Sequence, residues 1–316
     1  MLTRIFFVSI GLALFSNVAA IAADRMEIAV IPKGTTHSFW KSVEAGARKA
    51  GKELDVDITW RGPLREDDRS QQISLVQQFV GSKVSAIVLA PLDAAALVNP
   101  IKAATANKIP VVVIDSGVKA EVGKDFASFV ATDNFKGGQI GGAELGRLLG
   151  GKGKVVLLRY AEGSESTMER ENGFLDAMKK FPGIELTVTN RYGGATMSTA
   201  QDASMNMIDK IREADGIFTV NESTTMGMLL ALRQNGLAGK KSFVGFDATP
   251  PLVQALRKGE IQALVAQNPT AMGYLGVKTA VAALKGEKFE QRIDTGVKLV
   301  TKENLSKPEI KEILGN

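Results

Sequence analysis

The sequence predicts an α/β protein of two lobes, each built on a doubly wound parallel sheet. Short runs rich in apolar and β-branched residues alternate with longer segments of helical period, which is the pattern of a parallel sheet flanked by helices. The chain has 316 residues, whereas a single hydrophobic core stops growing beyond roughly 250 residues. Two successive series of strands and helices therefore indicate two cores and two lobes.

The chain opens with a segment of different character. Arg4 precedes an apolar run at residues 5–14, and residues 20–22 are the small and apolar residues that a signal peptidase accepts. We predict that residues 1–22 are a cleaved secretory signal peptide, because this apolar core is shorter than the ~20 residues that a membrane-spanning helix needs. An uncleaved membrane anchor is the alternative, since the apolar character continues through Ala19 and Ala20.

The first series contains five predicted strands with helical segments between them. These strands are residues 26–31, 54–60, 84–90, 110–114 and 129–132. Strands that are covered by helices on both faces are continuously apolar, and residues 111–114, all Val or Ile, have this character. We therefore expect a sheet that is buried on both faces.

A Gly-rich turn at residues 150–153 precedes a second series of five strands. These strands are residues 155–159, 184–189, 216–220, 243–246 and 261–266. A helix at about residues 269–284 and a strand near residues 296–300 follow them. The sequence pattern alone does not assign this last helix and strand to a lobe.

Charge and composition exclude several classes of function. Without Arg4 of the signal peptide the net charge is 38 minus 34, or +4, which is too small and too dispersed to indicate nucleic-acid binding. The sequence has no cysteine and a single histidine, His37, so disulfides, a lipid-attachment cysteine, zinc sites and His-based catalytic pairs are not expected. We predict no cofactor, no metal and no nucleic-acid partner.

Polar side chains follow four of the predicted strands, where ligands bind in open α/β sheets. The four residues are Asp115, Asn221, Asp247 and Gln267. Carboxylates accept hydrogen bonds and amides both donate and accept them, which matches the alternating donors and acceptors of a polyol. The alternative is that such residues only cap the helix that follows, as Asp and Asn commonly do.

The loop after the first strand and one helix start add further candidates. Phe39 and Trp40 stand where a helix begins, and aromatic faces complement the C–H faces of sugar rings. One of the two is expected in the core, because adjacent helix residues point in different directions, and at least one is expected to contact a ligand. His37 can donate to or accept from a hydroxyl, or be structural. Arg170 can present several fixed donors, or be a solvated surface charge between Glu169 and Glu171.

Five stretches, in their order and spacing, resemble the ribose-binding group of periplasmic sugar-binding proteins, whose fold the effector domains of the Lac-repressor family share. The stretches are residues 38–43, 131–134, 169–174, 244–250 and 284–287. The resemblance covers nearly all of the chain after the signal peptide. It implies that one cleft is lined by His37, Phe39, Trp40, Asp115, Arg170, Asn221, Asp247 and Gln267.

The resemblance also implies a type I periplasmic binding protein fold with a three-strand hinge. Residues 23–131 and 268–296 then form the N-terminal lobe, and residues 132–267 and 297–316 form the C-terminal lobe. As partners it implies a sugar or sugar-like polyol, the permease of an ABC transporter and a chemoreceptor, with the protein a monomer in the periplasm.

Two departures from the ribose-type pattern argue against ribose itself as the ligand. That pattern has an Asn where His37 stands, and an Arg directly after its Asp, where this chain has Ser116. Residues 60–65, after the second strand, also differ from the pattern. They either add an aromatic or cationic wall to the cleft or form a loop that only packs.

Competing functions have less support in the sequence. An enzyme of the same fold class would need catalytic residues, yet no phosphate-binding Gly-x-x-x-x-Gly-Lys-Ser/Thr loop occurs. The glycines of residues 137–142 lie in a helical segment, where close helix packing explains them.

A transcription regulator would need a helix-turn-helix where the signal peptide stands. A membrane-anchored sensor remains the alternative to a periplasmic solute-binding protein that closes around a sugar or polyol.

Overall fold

The computed structural model describes residues 25–315, which form two six-stranded sheets with helices on both faces of each. The strands are β1 Glu27–Ile31, β2 Asp57–Trp60, β3 Ala86–Leu89, β4 Val111–Ile114, β5 Ser128–Ala131, β6 Lys152–Arg159, β7 Gly183–Tyr192, β8 Gly216–Thr219, β9 Ser242–Phe246, β10 Ala263–Gln267, β11 Arg292–Asp294 and β12 Val297–Thr301. The predicted signal peptide, residues 1–22, lies outside the described residues.

Helices follow most of the strands and complete the two lobes. The helices are α1 Ser38–Leu54, α2 Arg69–Gly81, α3 Val98–Ala106, α4 Asn134–Leu148, α5 Glu165–Met178, α6 Met197–Met205, α7 Ile208–Glu213, α8 Glu222–Gln234, α9 Pro250–Lys258, α10 Pro269–Lys285 and α11 Pro308–Ile313. None of the helices within residues 25–315 combines the length and apolar character that crossing a bilayer requires.

The strand order confirms the predicted doubly wound fold class. The first sheet has the order β11-β5-β4-β3-β1-β2 and the second the order β12-β10-β9-β8-β6-β7. All strand pairs between residues 25 and 315 are parallel except β10–β12, which is antiparallel. The chain passes between the sheets after β5, after β10 and between β11 and β12, so three segments connect the two lobes.

Each sheet is apolar on both faces because alternate residues of its strands enter different cores. In β1, Ile28 and Val30 pack with α1 and α10, whereas Ala29 and Ile31 pack with α2 and α3. The second sheet follows the same rule. These four residues of β1 are fully buried. Burial of each large aliphatic side chain stabilises the fold by roughly 1.5–3 kcal/mol.

Glycines allow two pairs of helices to approach closely. A Cβ atom on Gly138 of α4 would lie 2.0 Å from the carbonyl oxygen of Arg170 in α5, and one on Gly173 of α5 would lie 2.0 Å from the carbonyl oxygen of Phe135 in α4. The interpretation of residues 137–142 as helix-packing glycines is therefore confirmed. In the first lobe, Gly46 and Gly273 make the same kind of contact between α1 and α10.

Several predicted boundaries were wrong, for local reasons. The second strand was predicted from residue 54, but Leu54 ends α1 and Asp55 caps it in the left-handed region, at φ 54°. The sixth strand begins at Lys152, inside the predicted Gly-rich turn. Strand β11 was not predicted, because its three residues alternate polar and apolar character and hydrogen bonds to β5 define it. Helix α10 packs on the first sheet and β12 joins the second.

Candidate ligand site between the lobes

One cavity lies between the carboxyl ends of the two sheets. All eight residues predicted from the sequence line it. The wall consists of Lys33, His37, Phe39, Trp40, Glu66, Asp115, Tyr160, Ser166, Thr167, Arg170, Asn221, Glu222, Asp247 and Gln267. Strand ends of both sheets thus contribute to a single site.

Two aspartates occupy equivalent places, directly after β4 and β9. Asp115 and Asp247 both have left-handed backbones, at φ 64° and φ 70°, a region that Asp tolerates better than most residues. The Asp115 carboxylate lies 3.0 Å from the ammonium group of Lys33. Neither aspartate caps the helix that follows it, because Asp133 and Thr249 occupy those N-cap positions.

The carboxylate of Asp247 is held by a neighbour at the end of β10 and by another at the start of α8. Its Oδ1 accepts a hydrogen bond from Gln267 Nε2 at 2.7 Å, and its Oδ2 accepts one from the backbone N–H of Glu222 at 2.7 Å. Burial raises the pKa of Asp247, while the positive charge of Arg170 opposes that rise. The side chain therefore satisfies a donor at the start of α8 as well as facing the cavity.

Arg170 is buried, with 2% of its surface exposed, so the surface-charge alternative was wrong. Its guanidinium donates to the Asn134 side chain at 2.9 Å, to the Val220 carbonyl oxygen at 2.9 Å and to the Gln267 side chain at 2.8 Å. It also lies 4.0 Å from the centre of the Phe246 ring. Three of its five N–H donors are thus bonded within the protein, which leaves two.

Asn221 caps helix α8, as the alternative prediction stated, and it also lines the cavity. Its Oδ1 accepts hydrogen bonds from the backbone N–H and the hydroxyl of Thr224, at 3.2 and 2.8 Å. The Thr224 hydroxyl also accepts from the Asn221 N–H, so the two residues form a capping box at the start of α8.

Phe39 and Trp40 both belong to the core of the first lobe and to the cavity wall. Their rings pack edge to face, with centroids 4.9 Å apart, and Trp40 Nε1 donates to the carboxylate of Glu66. One of the pair was expected in the core, and both are largely buried there. That at least one contacts a ligand stays a prediction.

Six cavity residues were missed by the sequence reasoning. They are Lys33, Glu66, Tyr160, Ser166, Thr167 and Glu222. Tyr160 directly follows β6 and Glu222 directly follows Asn221, so the rule of inspecting strand ends, applied more widely, could have found both. Residues 60–65 do not line the cavity themselves, but the loop that they begin brings Glu66 into it.

His37 and Glu66 form a buried ion pair, with His37 Nδ1 2.8 Å from Glu66 Oε1. Burial alone would lower the pKa of His37, but the charge and hydrogen bond of Glu66 outweigh it and raise this pKa to about 9. Burial alone would raise the pKa of Glu66, but His37, Lys33 and the Tyr160 hydroxyl lower it to about 2. Both groups are therefore charged at neutral pH.

Hydrogen bonds across the cavity hold the lobes together in this structure. The Glu222 carboxylate accepts from the backbone N–H groups of Ser38 and Phe39, at 3.1 and 2.9 Å, and so satisfies the first donors of α1 from the opposite lobe. Glu165 accepts from the backbone N–H of Gly117 at 2.8 Å. Burial raises the pKa of both glutamates. The structure is a closed form of the molecule.

The fold and this cavity define a class: two-lobed α/β binding proteins that enclose a small polar molecule at the carboxyl ends of both sheets. A family model described as a periplasmic binding protein domain matches residues 28–288. The chain therefore belongs to the family of periplasmic binding proteins, and the prediction of a binding protein rather than an enzyme is confirmed.

Known proteins of this family resemble the chain over most of its length. It is 38% identical to an ABC transporter solute binding protein from Agrobacterium vitis with bound D-fucose, with a TM-score of 0.87 and coverage of 91% of this chain and 99% of that one. A carbohydrate transporter solute binding protein from Agrobacterium radiobacter, in complex with D-arabinose, is 36% identical, with a TM-score of 0.87 and coverage of 92% and 99%. The ribose import binding protein of Salmonella typhimurium is 28% identical, with coverage of 93% and 96%.

Proposed function

We propose that this protein is a periplasmic receptor that binds a sugar or sugar-like polyol in the cavity and delivers it to an ABC importer. The observation that carries the proposal is the convergence of polar side chains from the strand ends of both lobes on one cavity. A molecule held there contacts both lobes only when they are closed, so binding favours closure. The importer can then distinguish loaded from empty receptor.

The chemistry of the wall supports a neutral, hydroxylated ligand. Carboxylates such as Asp115 and Asp247 accept hydrogen bonds from adjacent hydroxyls, and the remaining N–H groups of Arg170 donate to their oxygen atoms. The rings of Phe39 and Trp40 offer apolar surface for the C–H faces of a sugar ring. We assign ligand contacts to the eight residues predicted from the sequence on this basis.

The domain division and the cellular setting belong to the same proposal. We infer that the molecule moves as two rigid bodies, one made of residues 23–131 and 268–296 and the other of residues 132–267 and 297–316. This division agrees with the strands that each of the two sheets contains. Export to the periplasm follows from the signal peptide predicted at residues 1–22. The receptor works as a monomer with the importer's permease, and a chemoreceptor is a further partner.

A thermal-shift screen of the purified chain tests the ligand assignment. The panel contains pentoses, hexoses, 6-deoxyhexoses, polyols and amino sugars, and starts with D-arabinose and D-fucose, the sugars held by two relatives. A ligand at about 100 times its Kd adds about 2.7 kcal/mol to the free energy of unfolding. Absence of a shift across the whole panel would count against a sugar receptor.

Replacement of Asp247 by Ala tests whether the bound molecule occupies this cavity. The variant is expected to abolish the shift, because it removes an acceptor from the wall and leaves Gln267 Nε2 and the Glu222 N–H without their partner. Asp209→Ala is the control, since Asp209 is exposed on α7 and its loss should leave the shift intact. An unchanged shift in Asp247→Ala would exclude this residue from the site.

A further inference from the structure

Glu66 is the point at which three side chains of the cavity wall meet. Its Oε1 receives the Trp40 Nε1–H and lies 2.8 Å from His37 Nδ1, and its Oε2 accepts the Tyr160 hydroxyl hydrogen at 2.6 Å. Trp40 and His37 belong to the first lobe, whereas Tyr160 follows β6 of the second lobe. One buried carboxylate therefore organises both sides of the site.

The loop after β2 holds Glu66 in place through contacts with the loop after β1. A Cβ atom on Gly34 would lie 2.8 Å from Glu66 Cγ, so the absence of a side chain at Gly34 lets the two loops pack together. The Thr35 hydroxyl donates to the Pro63 carbonyl oxygen at 3.3 Å. Contacts within the first lobe thus hold the loop that carries the carboxylate.

The charged groups around His37 determine which partners its two ring nitrogens bond to. Glu222 and Asp247 are the other acidic groups near the ring, and Lys33 lies near Glu66. An imidazolium ring carries a hydrogen on each nitrogen, and the Nδ1 hydrogen is directed at Glu66. His37 also lines the cavity, so the Nε2 hydrogen is the one left for a molecule bound there.

We propose that Glu66 is the positioning residue of this site: it fixes the ring of His37 so that Nε2–H donates to an acceptor oxygen of the ligand, and it joins this wall to Tyr160 when the lobes close. The proposal rests on the proposed function, because the ligand is taken to be a sugar or polyol. It assigns to Glu66, which also lines the cavity, the role of orienting two residues that are proposed to contact the ligand, His37 and Trp40.

The variant Glu66→Gln tests the proposal while keeping the shape of the side chain. His37 is the only histidine of the chain, so the NMR signals of an untagged protein report its titration without ambiguity. In the ligand-free variant the pKa of His37 is expected to fall from about 9 towards the ordinary 6.5. The affinity for the best sugar of the screen is expected to fall about tenfold or more, since the ligand loses its hydrogen bond to the charged ring of His37.

Two further variants separate positioning from general damage. Tyr160→Phe removes only the hydrogen bond between Tyr160 and Glu66, so the His37 titration should stay unchanged while affinity falls. Glu260→Gln alters a carboxylate that pairs with Arg233 outside the cavity, and should change neither quantity.

Each outcome decides the proposal. A folded Glu66→Gln protein whose His37 titrates as in the wild type would overturn it, as would a variant with a lowered pKa but wild-type affinity. If no sugar binds the wild type, the proposed function fails, and the His37 titration still shows whether Glu66 orients the ring.

Discussion

At the scale of single residues, the site depends on charged side chains that are buried and hydrogen-bonded to their neighbours. The guanidinium of Arg170 has 2% exposure and bonds to Asn134, Val220 and Gln267. A buried polar group left without its partner costs about 1–3 kcal/mol, so this network holds the strand ends of the second lobe in one arrangement.

Replacement of Arg170 by Met should therefore destabilise even the ligand-free protein. We expect a loss of about 3 kcal/mol in the free energy of unfolding, because three acceptors lose their donor inside the lobe. Urea denaturation measures it. Arg212→Met, at an exposed ion pair on α7, is the control and should cost less than about 1 kcal/mol; equal losses would contradict the structural role of Arg170.

The raised pKa of His37 predicts a pH dependence of stability. Because this pKa rises from 6.5 to about 9 on folding, the folded state binds the proton more tightly. The contribution of the His37 proton to the free energy of unfolding is fully present below pH 6.5 and is lost as the pH rises to about 9. The Tm of the ligand-free protein should fall more steeply across this range than that of His37→Gln, and parallel curves would refute the charged state of the ring.

At the scale of elements, the ends of strands and the small residues of helices position the site. The polar residues after β8 and β9 lie together because parallel strands of one sheet direct their carboxyl ends to one edge. Asp115, after β4 of the other sheet, lines the same cavity because the carboxyl ends of the two sheets face each other. Helix α10 lies against α1 at backbone distance, since Gly273 has no Cβ to collide with the Val43 carbonyl oxygen. This contact supports the start of α1, where Phe39 and Trp40 enter the cavity.

Replacement of Gly273 by Ala should push these helices apart. The added Cβ would lie 1.9 Å from the Val43 carbonyl oxygen, and such overpacking costs about 1–3 kcal/mol. Gly81→Ala, at the end of α2, is the matched control: no atom lies within 4 Å of its Cβ, so its stability should be unchanged or slightly raised. Thermal unfolding of both variants, monitored by circular dichroism, distinguishes a packing effect from a general effect of alanine.

At the scale of the whole molecule, the closed form depends on contacts that only two lobes can make. Glu222 satisfies the first N–H groups of α1 from across the cavity, and Glu165 does the same for Gly117. These bonds are replaced by water when the lobes separate, so they contribute little without a ligand. A bound molecule that contacts both lobes shifts the population towards closure.

Ligand addition should therefore shorten the distance between the rims of the two lobes. Because the chain has no cysteine, fluorophores can be placed at Leu64→Cys and Met197→Cys, exposed positions beyond the carboxyl ends of β2 and β7. Energy transfer between them should increase with a ligand. The pair Leu64→Cys and Lys83→Cys lies within the first lobe and should stay constant; an unchanged rim distance would argue against hinge closure.

The sequence determined the local parts of this protein: the parallel strands, the glycine-dependent helix packing and the four polar residues at strand ends, Asp115, Asn221, Asp247 and Gln267, that reach the cavity. Apolar runs and strand-end residues are local signals, so they can be recognised without a structure. Leu54, predicted as the first residue of a strand, shows the limit of such signals, because a left-handed cap at Asp55 ends the helix there.

Tertiary structure alone decided the features that join distant segments. The three residues of β11 form a strand only through hydrogen bonds to β5, and β12 pairs with the second sheet although α10, before it, packs on the first. Glu66 is one of several charged residues in a polar loop until folding buries it beside His37 and Tyr160. Pairing between segments far apart in the chain depends on their relative positions, which local sequence patterns do not encode.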